Sequence, residues 1–273
     1  MIEKLVIFDW SGTLSPDSVR FAADKNLKRE LAESGLASLG VADPETFWNE
    51  IVNPTWEEGS TTPIGYIDVI VRRIKATFSP AVPDDRIRAS AARFVDNYLA
   101  HSPADHRWRP ILKQLSEDSS VITVIATDHY AEATGAIIRS LKEIGISAAP
   151  SQNATGAPSF LVIANSADMG THKADHVFWE TIRNSLGLDA IRHVLIVDDF
   201  GFNELAGDSY GESRKVEARK EATLALLKEV FGVPASLVPF MWEHGDGPEK
   251  DEKALGGLIA RASEQIEDYL SKR

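Results

Sequence analysis

There is no cysteine anywhere in the 273 residues. Disulfide staples and thiolate metal sites are therefore excluded, and any metal would be held by oxygen or nitrogen. Positive charge is also scarce. The chain has 29 Lys and Arg against 41 Asp and Glu, a formal net charge of −12. That balance opposes binding by phosphate neutralisation, so no nucleic-acid partner is expected. An anionic ligand would need a local positive site against the global field. Long apolar runs are missing too. None approaches the ~20 residues that cross a bilayer, and no membrane partner is expected. The start, Met1-Ile2-Glu3-Lys4, lacks the layout of a secretory leader. The cytoplasm is the expected compartment, consistent with a chain free of cysteine. The composition leaves the oligomeric state open.

What is present is ordinary for a globular chain: 43% apolar and 26% charged residues, enough for a core without staples. Short apolar runs at Leu5–Phe8, Val121–Ala126, Phe160–Ala164 and His193–Val197 predict buried parallel strands, with a fifth at Ser236–Phe240 whose Pro239 suits an edge. Apolar residues at helical spacing over 131–143, 175–186 and 212–231 lie between or beside them. The alternation predicts an α/β fold, a Rossmann-like parallel sheet with helices on both faces.

The stretch 16–108 reads differently. It contains helical segments and no convincing strand, and it predicts a small helical domain inserted after strand one. One helix is expected over 63–78, with Thr62 as N-cap and Pro63 in its first turn, and another from Asp84 through Tyr98. The predicted division is a core of 1–15 and 109–242, a helical insert of 16–108, and a tail of 243–273. The tail holds an acidic linker and a final helix whose face Leu255, Leu258, Ile259, Ala262, Ile266 and Tyr269 packs on the core. The segment "SAAPSQNATGAP" is expected to be a surface loop.

The strand ends carry the chemistry. After the first comes Asp9, after the second Thr127, Asp128 and His129, after the third a loop leading to Lys173, and after the fourth Asp198, Asp199 and Asn203. In a parallel sheet these tips face one way. Crowded carboxylates repel one another and resist desolvation, and a divalent cation relieves both costs. An all-oxygen set suits Mg²⁺, which keeps waters and a substrate phosphate in its shell. Asp9 is then placed as nucleophile toward phosphorus. Thr127, Lys173 and the amides of Gly12 and Thr13 are placed to hold the phosphoryl oxygens, and the expected partner is a small phosphorylated substrate.

These residues resemble the motifs of the haloacid dehalogenase (HAD) superfamily. Asp9-Trp10-Ser11-Gly12-Thr13 matches its Asp-x-Asp-Gly-Thr motif except at the third position. Thr127 falls on the second motif, Lys173 on the third, and Asp198, Asp199 and Asn203 on the fourth. The resemblance covers the core and implies a Mg²⁺-dependent phosphohydrolase that works through an aspartyl-phosphate. Asp9, Asp198, Asp199 and the main-chain carbonyl of Ser11 would hold the metal, and the insert would be a C1-type cap that selects substrate. Asp128 and Trp56 are further candidate substrate contacts.

Ser11 departs from the pattern, because the family's phosphatases usually have a second Asp there as general acid and base. A serine hydroxyl cannot fill that role near neutrality, and such help is worth roughly 10²–10⁴-fold. One account keeps the phosphohydrolase, acting on a good leaving group or using Asp17, Asp128, His129 or His172 instead. A second follows the likeness of "DWSGT" to the Asp-Trp-Ala-Gly-Thr of phosphonoacetaldehyde hydrolases, which need a cap lysine; Lys25, Lys28 and Lys75 are the candidates. A third is a protein that only binds a phosphorylated ligand or partner. Dehalogenation is disfavoured by the acidic pair. Trp10 is a candidate lining residue, whereas Trp48, Trp108, Arg72 and Arg73 read first as packing or solvated surface. Glu204 and Asp208 could reach the outer metal shell.

Overall fold

The β-branched and aromatic run at the start of the chain forms β1 (Lys4–Phe8), whose last four residues are buried. It lies at the centre of a six-stranded sheet with β2 (Val121–Thr127), β3 (Ala148–Pro150), β4 (Leu161–Asn165), β5 (His193–Asp198) and β6 (Ala235–Pro239). The order is β3-β4-β2-β1-β5-β6, and every pairing is parallel. The computed structural model describes residues 2–154, 159–204, 213–243 and 247–271.

Alternate residues of each strand feed two apolar layers. Val6, Phe8, Ile125 and Val197 face one layer. It is completed by helices α6 (Arg109–Glu117), α7 (Glu132–Glu143) and α10 (Pro248–Ser271). Leu5, Ile7, Val124 and Ile196 face the other, under α8 (His176–Leu186) and α9 (Ser213–Phe231). Leu255, Ile259, Ala262, Ile266 and Tyr269 of α10 lie in the first layer. The Lys4 ammonium donates to the Leu270 carbonyl, tying the end of that helix to β1.

Between β1 and β2 the chain is helical: α1 (Pro16–Ala22), α2 (Asp24–Ser34), α3 (Trp56–Ser60), α4 (Tyr66–Thr77) and α5 (Asp84–Ala100), with shorter turns among them. These helices form a third apolar cluster of their own, centred on Leu31, Ile51, Ile70, Ile74 and Phe94. One core residue joins it, Tyr130, whose ring stacks on Tyr66 at a 3.8 Å centroid distance.

Two local expectations are corrected. The helix expected from Pro63 starts at Tyr66, after Gly65 at φ +82°. Thr62 does not cap it, since its hydroxyl donates back to the Glu58 carbonyl at 2.7 Å. The cap comes from the core, where Glu132 accepts the Tyr66 and Ile67 amides at 2.7 and 3.2 Å. That carboxylate also favours the positive end of the helix. The expected loop at 147–158 contains the short edge strand β3, ended by Pro150, where an edge tolerates proline. Residues 155–158 of that segment lie outside the described residues. Among the described residues no helix is long and apolar enough to cross a membrane.

Candidate active site

The parallel register puts the strand ends side by side. Phe8 pairs with Ile125 on one flank and Val197 on the other, and Thr127 pairs with Asn165. The ladder runs one residue further, as the Asp9 amide donates to the Val197 carbonyl at 3.0 Å. Asp9 therefore leaves the sheet between Thr127 on β2 and Asp198 at the end of β5. This is the crevice where the strand connections diverge to opposite sides of β1, the usual ligand position in such sheets.

The side chains converge there. Lys173 Nζ lies 2.6 Å from Asp9 Oδ1 and 3.3 Å from Asp198 Oδ2. One carboxylate oxygen from each of Asp9, Asp198 and Asp199 falls within 4.8 Å of the others, and all three residues are buried. Lys173 sits in the turn before α8 and is clamped through its backbone. Its amide donates to Asp128 Oδ1 at 2.9 Å, and its carbonyl accepts Trp179 Nε1 at 2.7 Å.

The acidic loop is built by its own amides. Phe200 donates to Asp198 Oδ1 at 2.6 Å, Gly201 to Asp199 Oδ1 at 3.1 Å and Asn203 to Asp199 Oδ2 at 2.8 Å. Phe200 and Gly201 both take positive φ, 53° and 76°, to aim those amides. The Asn203 side chain pins the loop to its neighbours, donating to the carbonyls of Gly12 and Phe240 at 2.8 and 2.7 Å and accepting the Trp242 amide at 2.6 Å. Gly12 has φ +74°, and a Cβ there would lie 2.7 Å from Asp199 Oδ2. Glycine is thus required by conformation and by space.

Electrostatics set what this cluster can hold. Burial pushes the Asp9 carboxyl well above its usual range, Lys173 opposes that, and Asp198 and Asp199 add to it. Burial, then Asp198, raises Asp199 to about 7. Burial also raises Asp128, against the pull of Lys173. Burial works against the Lys173 charge, but Asp198, Asp9 and Asp128 together hold its pKa well above normal. A single ammonium does not neutralise this many buried carboxylates, and the remaining oxygens fit a hard divalent cation.

A cavity of about 630 Å³ opens from these strand ends toward the helical insert. Of the residues singled out in the sequence, Asp9, Ser11, Thr127, Asp128, Lys173, Asp198, Asp199 and Trp56 line it. Gly12 and Thr13 do not. Their amides close the turn by donating to Ser15 and Trp10 at 3.0 and 3.3 Å. Trp10 is buried in the core instead of lining the cavity, because it packs in the layer with Phe8 and Trp108. Trp48, read first as packing, does pack on the insert's apolar cluster with its ring edge-on to Phe47, and it also lines the cavity. Arg72 and Arg73 pair with Glu58 and Glu50 near the surface, and Asp17 pairs with Arg20. Glu204 lines the cavity, while Asp208 lies outside the described residues.

Ser11 shares the cavity with a group that the sequence did not mark. Both it and Tyr98 on α5 line the space, and burial raises the Tyr98 phenol to about 12. The same hydroxyl lies 2.8 Å from His129 Nε2, while His129 Nδ1 accepts the Tyr130 amide at 2.8 Å. With Nδ1 an acceptor, the imidazole proton sits on Nε2 and is donated to Tyr98. Burial depresses His129 to about 4, so it is neutral near pH 7. His172 joins the insert elsewhere: its Nε2 lies 2.7 Å from the Ser60 hydroxyl and its ring stacks on Trp56.

No family model and no curated protein matches the chain. Among solved structures it is similar to a 2-haloacid dehalogenase from Pseudomonas syringae pv. tomato DC3000, with a TM-score of 0.53 and 16% identity, over 96% of this chain and 99% of that one. The fold is shared with that enzyme. Two more distant structures are a HAD-like family hydrolase from Porphyromonas gingivalis and the HAD-hydrolase YfnB from Bacillus subtilis. The first has a TM-score of 0.45 and 10% identity over 88% of this chain and 91% of that one. The second has 0.44 and 13% over 80% and 84%. The likeness to the dehalogenase carries the architecture, an α/β sheet with a helical insert after strand one, and leaves the chemistry to the site.

Proposed function

We propose that the chain is a HAD-type phosphohydrolase acting on a small phosphorylated substrate. The observation that carries this reading is the meeting of Asp9, Lys173 and the Asp198–Asp199 pair at the head of one cavity. An Asp9 oxygen forms a bond to phosphorus as the bond to the leaving oxygen breaks. Water then attacks the aspartyl-phosphate, breaking the Asp9–phosphorus bond and releasing inorganic phosphate. Lys173 and the Thr127 hydroxyl hold the phosphoryl oxygens and balance their charge. Asp9, Asp198 and Asp199 would hold Mg²⁺, which when bound supplies charge neutralisation at the phosphate. Asn203 and Gly12 keep the acidic loop in register with Asp9.

The carbon–phosphorus reading loses its lysine. Lys25, Lys28 and Lys75 are all exposed, none lines the cavity, and Lys75 is paired with Asp84 at 2.6 Å. Phosphate release from acetyl phosphate, a substrate that needs little leaving-group protonation, is the direct test. Asp9→Asn is expected to lower it by at least ~10³-fold with unchanged circular dichroism, as for loss of a covalent nucleophile. Undiminished release from the variant would remove Asp9 from the reaction. Ser11→Ala is expected to stay within about threefold of wild type, since the hydroxyl transfers no proton.

A further inference from the structure

From the walls of the cavity we infer the class of the substrate's leaving group: an aromatic alcohol, so that the substrate is an aryl phosphate monoester. This rests on the phosphohydrolase reading. Beyond the strand ends the cavity is bounded by Phe21, Phe47, Trp48, Trp56, Phe94 and Tyr66, with Leu27, Val52 and Leu226 filling the gaps. Trp48 and Trp56 are only half-buried, so apolar ring surface is left facing the space.

Several polar groups in the described part of that wall are already engaged. The Ser18 hydroxyl donates to the Ser15 carbonyl at 2.6 Å. Both His129 nitrogens and the Tyr98 hydroxyl are used as described above. The lining cations are Lys173, bound between Asp9 and Asp198, and Arg219, whose Nε donates to the Phe200 carbonyl at 2.9 Å. Asp24 and Glu204 add negative charge. Among the described residues, a second phosphate would meet no cation reserved for it and would face the Asp24 and Glu204 carboxylates. A flat apolar ring loses nothing and gains contact.

Ser11 leads to the same class independently. Ser11 cannot supply the proton that an Asp at that position would, so an alkoxide departs more slowly than a phenolate, whose conjugate acid has a pKa near ~10. Ser11 and the aromatic chamber therefore point to one chemistry.

The test separates the reaction from the ligand class. Initial rates with Mg²⁺ are measured for acetyl phosphate, phenyl phosphate, 1-naphthyl phosphate, glycerol 3-phosphate and glucose 6-phosphate. The expected kcat/KM for naphthyl phosphate is at least ~100-fold above that for glucose 6-phosphate. It is also about tenfold above phenyl phosphate, whose leaving group is similar but which buries ~50 Å² less at ~25 cal/mol per Å². Val52→Asp should abolish that second ratio. Because a buried substitution can unfold the chain, wild-type binding is read as well. Quenching of tryptophan fluorescence by 1-naphthylmethylphosphonate should occur at least tenfold below the concentration needed for methylphosphonate. Release from acetyl phosphate with no aryl preference, or equal binding of the two phosphonates, overturns the ligand class alone. Release from no compound, with naphthyl binding intact, overturns the reaction and supports the ligand class.

Discussion

His129 shows how one buried side chain ties stability to pH. Its folded pKa of about 4 lies below the ordinary imidazole value near ~6.5. Between those values the unfolded chain binds a proton that the folded one refuses. Stability is therefore intact above pH ~6.5 and is lost progressively as the pH falls toward ~4, by up to about 3 kcal/mol. Melting curves from pH 7.5 to 4.5 should show this loss, and it should be shallower in His129→Gln, which has no proton to gain. Equal slopes would mean that His129 is solvated in the folded state. The same residue marks the limit of sequence reading. Asp9, Thr127 and Asp199 announced themselves by standing just past apolar runs, and Lys173 by closing the loop that follows one. Tyr98 did not, because its position in a helical repeat looks like any other packing residue, and only the tertiary fold turns its hydroxyl toward His129 at the cavity. Trp10 misled for the converse reason: adjacency to Asp9 in sequence means the opposite face of an extended chain, and that face is core.

At the scale of elements, strands were legible where burial on both faces wrote continuous apolar runs, as in β1, β2, β4 and β5. The edge strand β3 has only three residues, all half-buried, and carries no such run. The start of α4 was hidden for another reason. Thr62-Pro63 has the local chemistry of a helix start, but the carboxylate that caps the helix belongs to Glu132, 66 residues away in sequence from Tyr66. That long-range cap predicts a measurable coupling. Glu132→Ala should cost about 1 kcal/mol in urea denaturation, the usual worth of an N-cap. It should also speed amide hydrogen exchange at Tyr66 and Ile67 more than elsewhere in the helical insert. Exchange unchanged at those two amides would show that packing of Tyr66 on Tyr130 holds the helix end without the carboxylate.

For the whole molecule, the sheet is a device for gathering charge. Positions 9, 173 and 199 are far apart in sequence, yet the parallel register delivers them to one buried point in a chain whose net charge is already −12. Folding without a cation therefore works against burial of charge first and carboxylate repulsion second, the two causes that raise Asp9 and Asp199. A cation that binds only the folded state removes that cost by mass action: at ~100-fold above its Kd it stabilises by about 2.7 kcal/mol. For a chain of this size that corresponds to roughly 5–10 °C in melting temperature. Mg²⁺ should produce such a rise in thermal-shift measurements, and EDTA should reverse it. Asp199→Asn should abolish the rise, because it removes one of the three carboxylates. Part of the pull on Mg²⁺ is the global negative field, which is screened over ~10 Å at 0.1 M salt. The Mg²⁺ concentration at half-effect should therefore increase as NaCl is raised from 20 to 200 mM at fixed pH. A midpoint independent of salt would mean that the three carboxylates act alone, and a melting temperature blind to Mg²⁺ would mean that Lys173 suffices as their counter-charge.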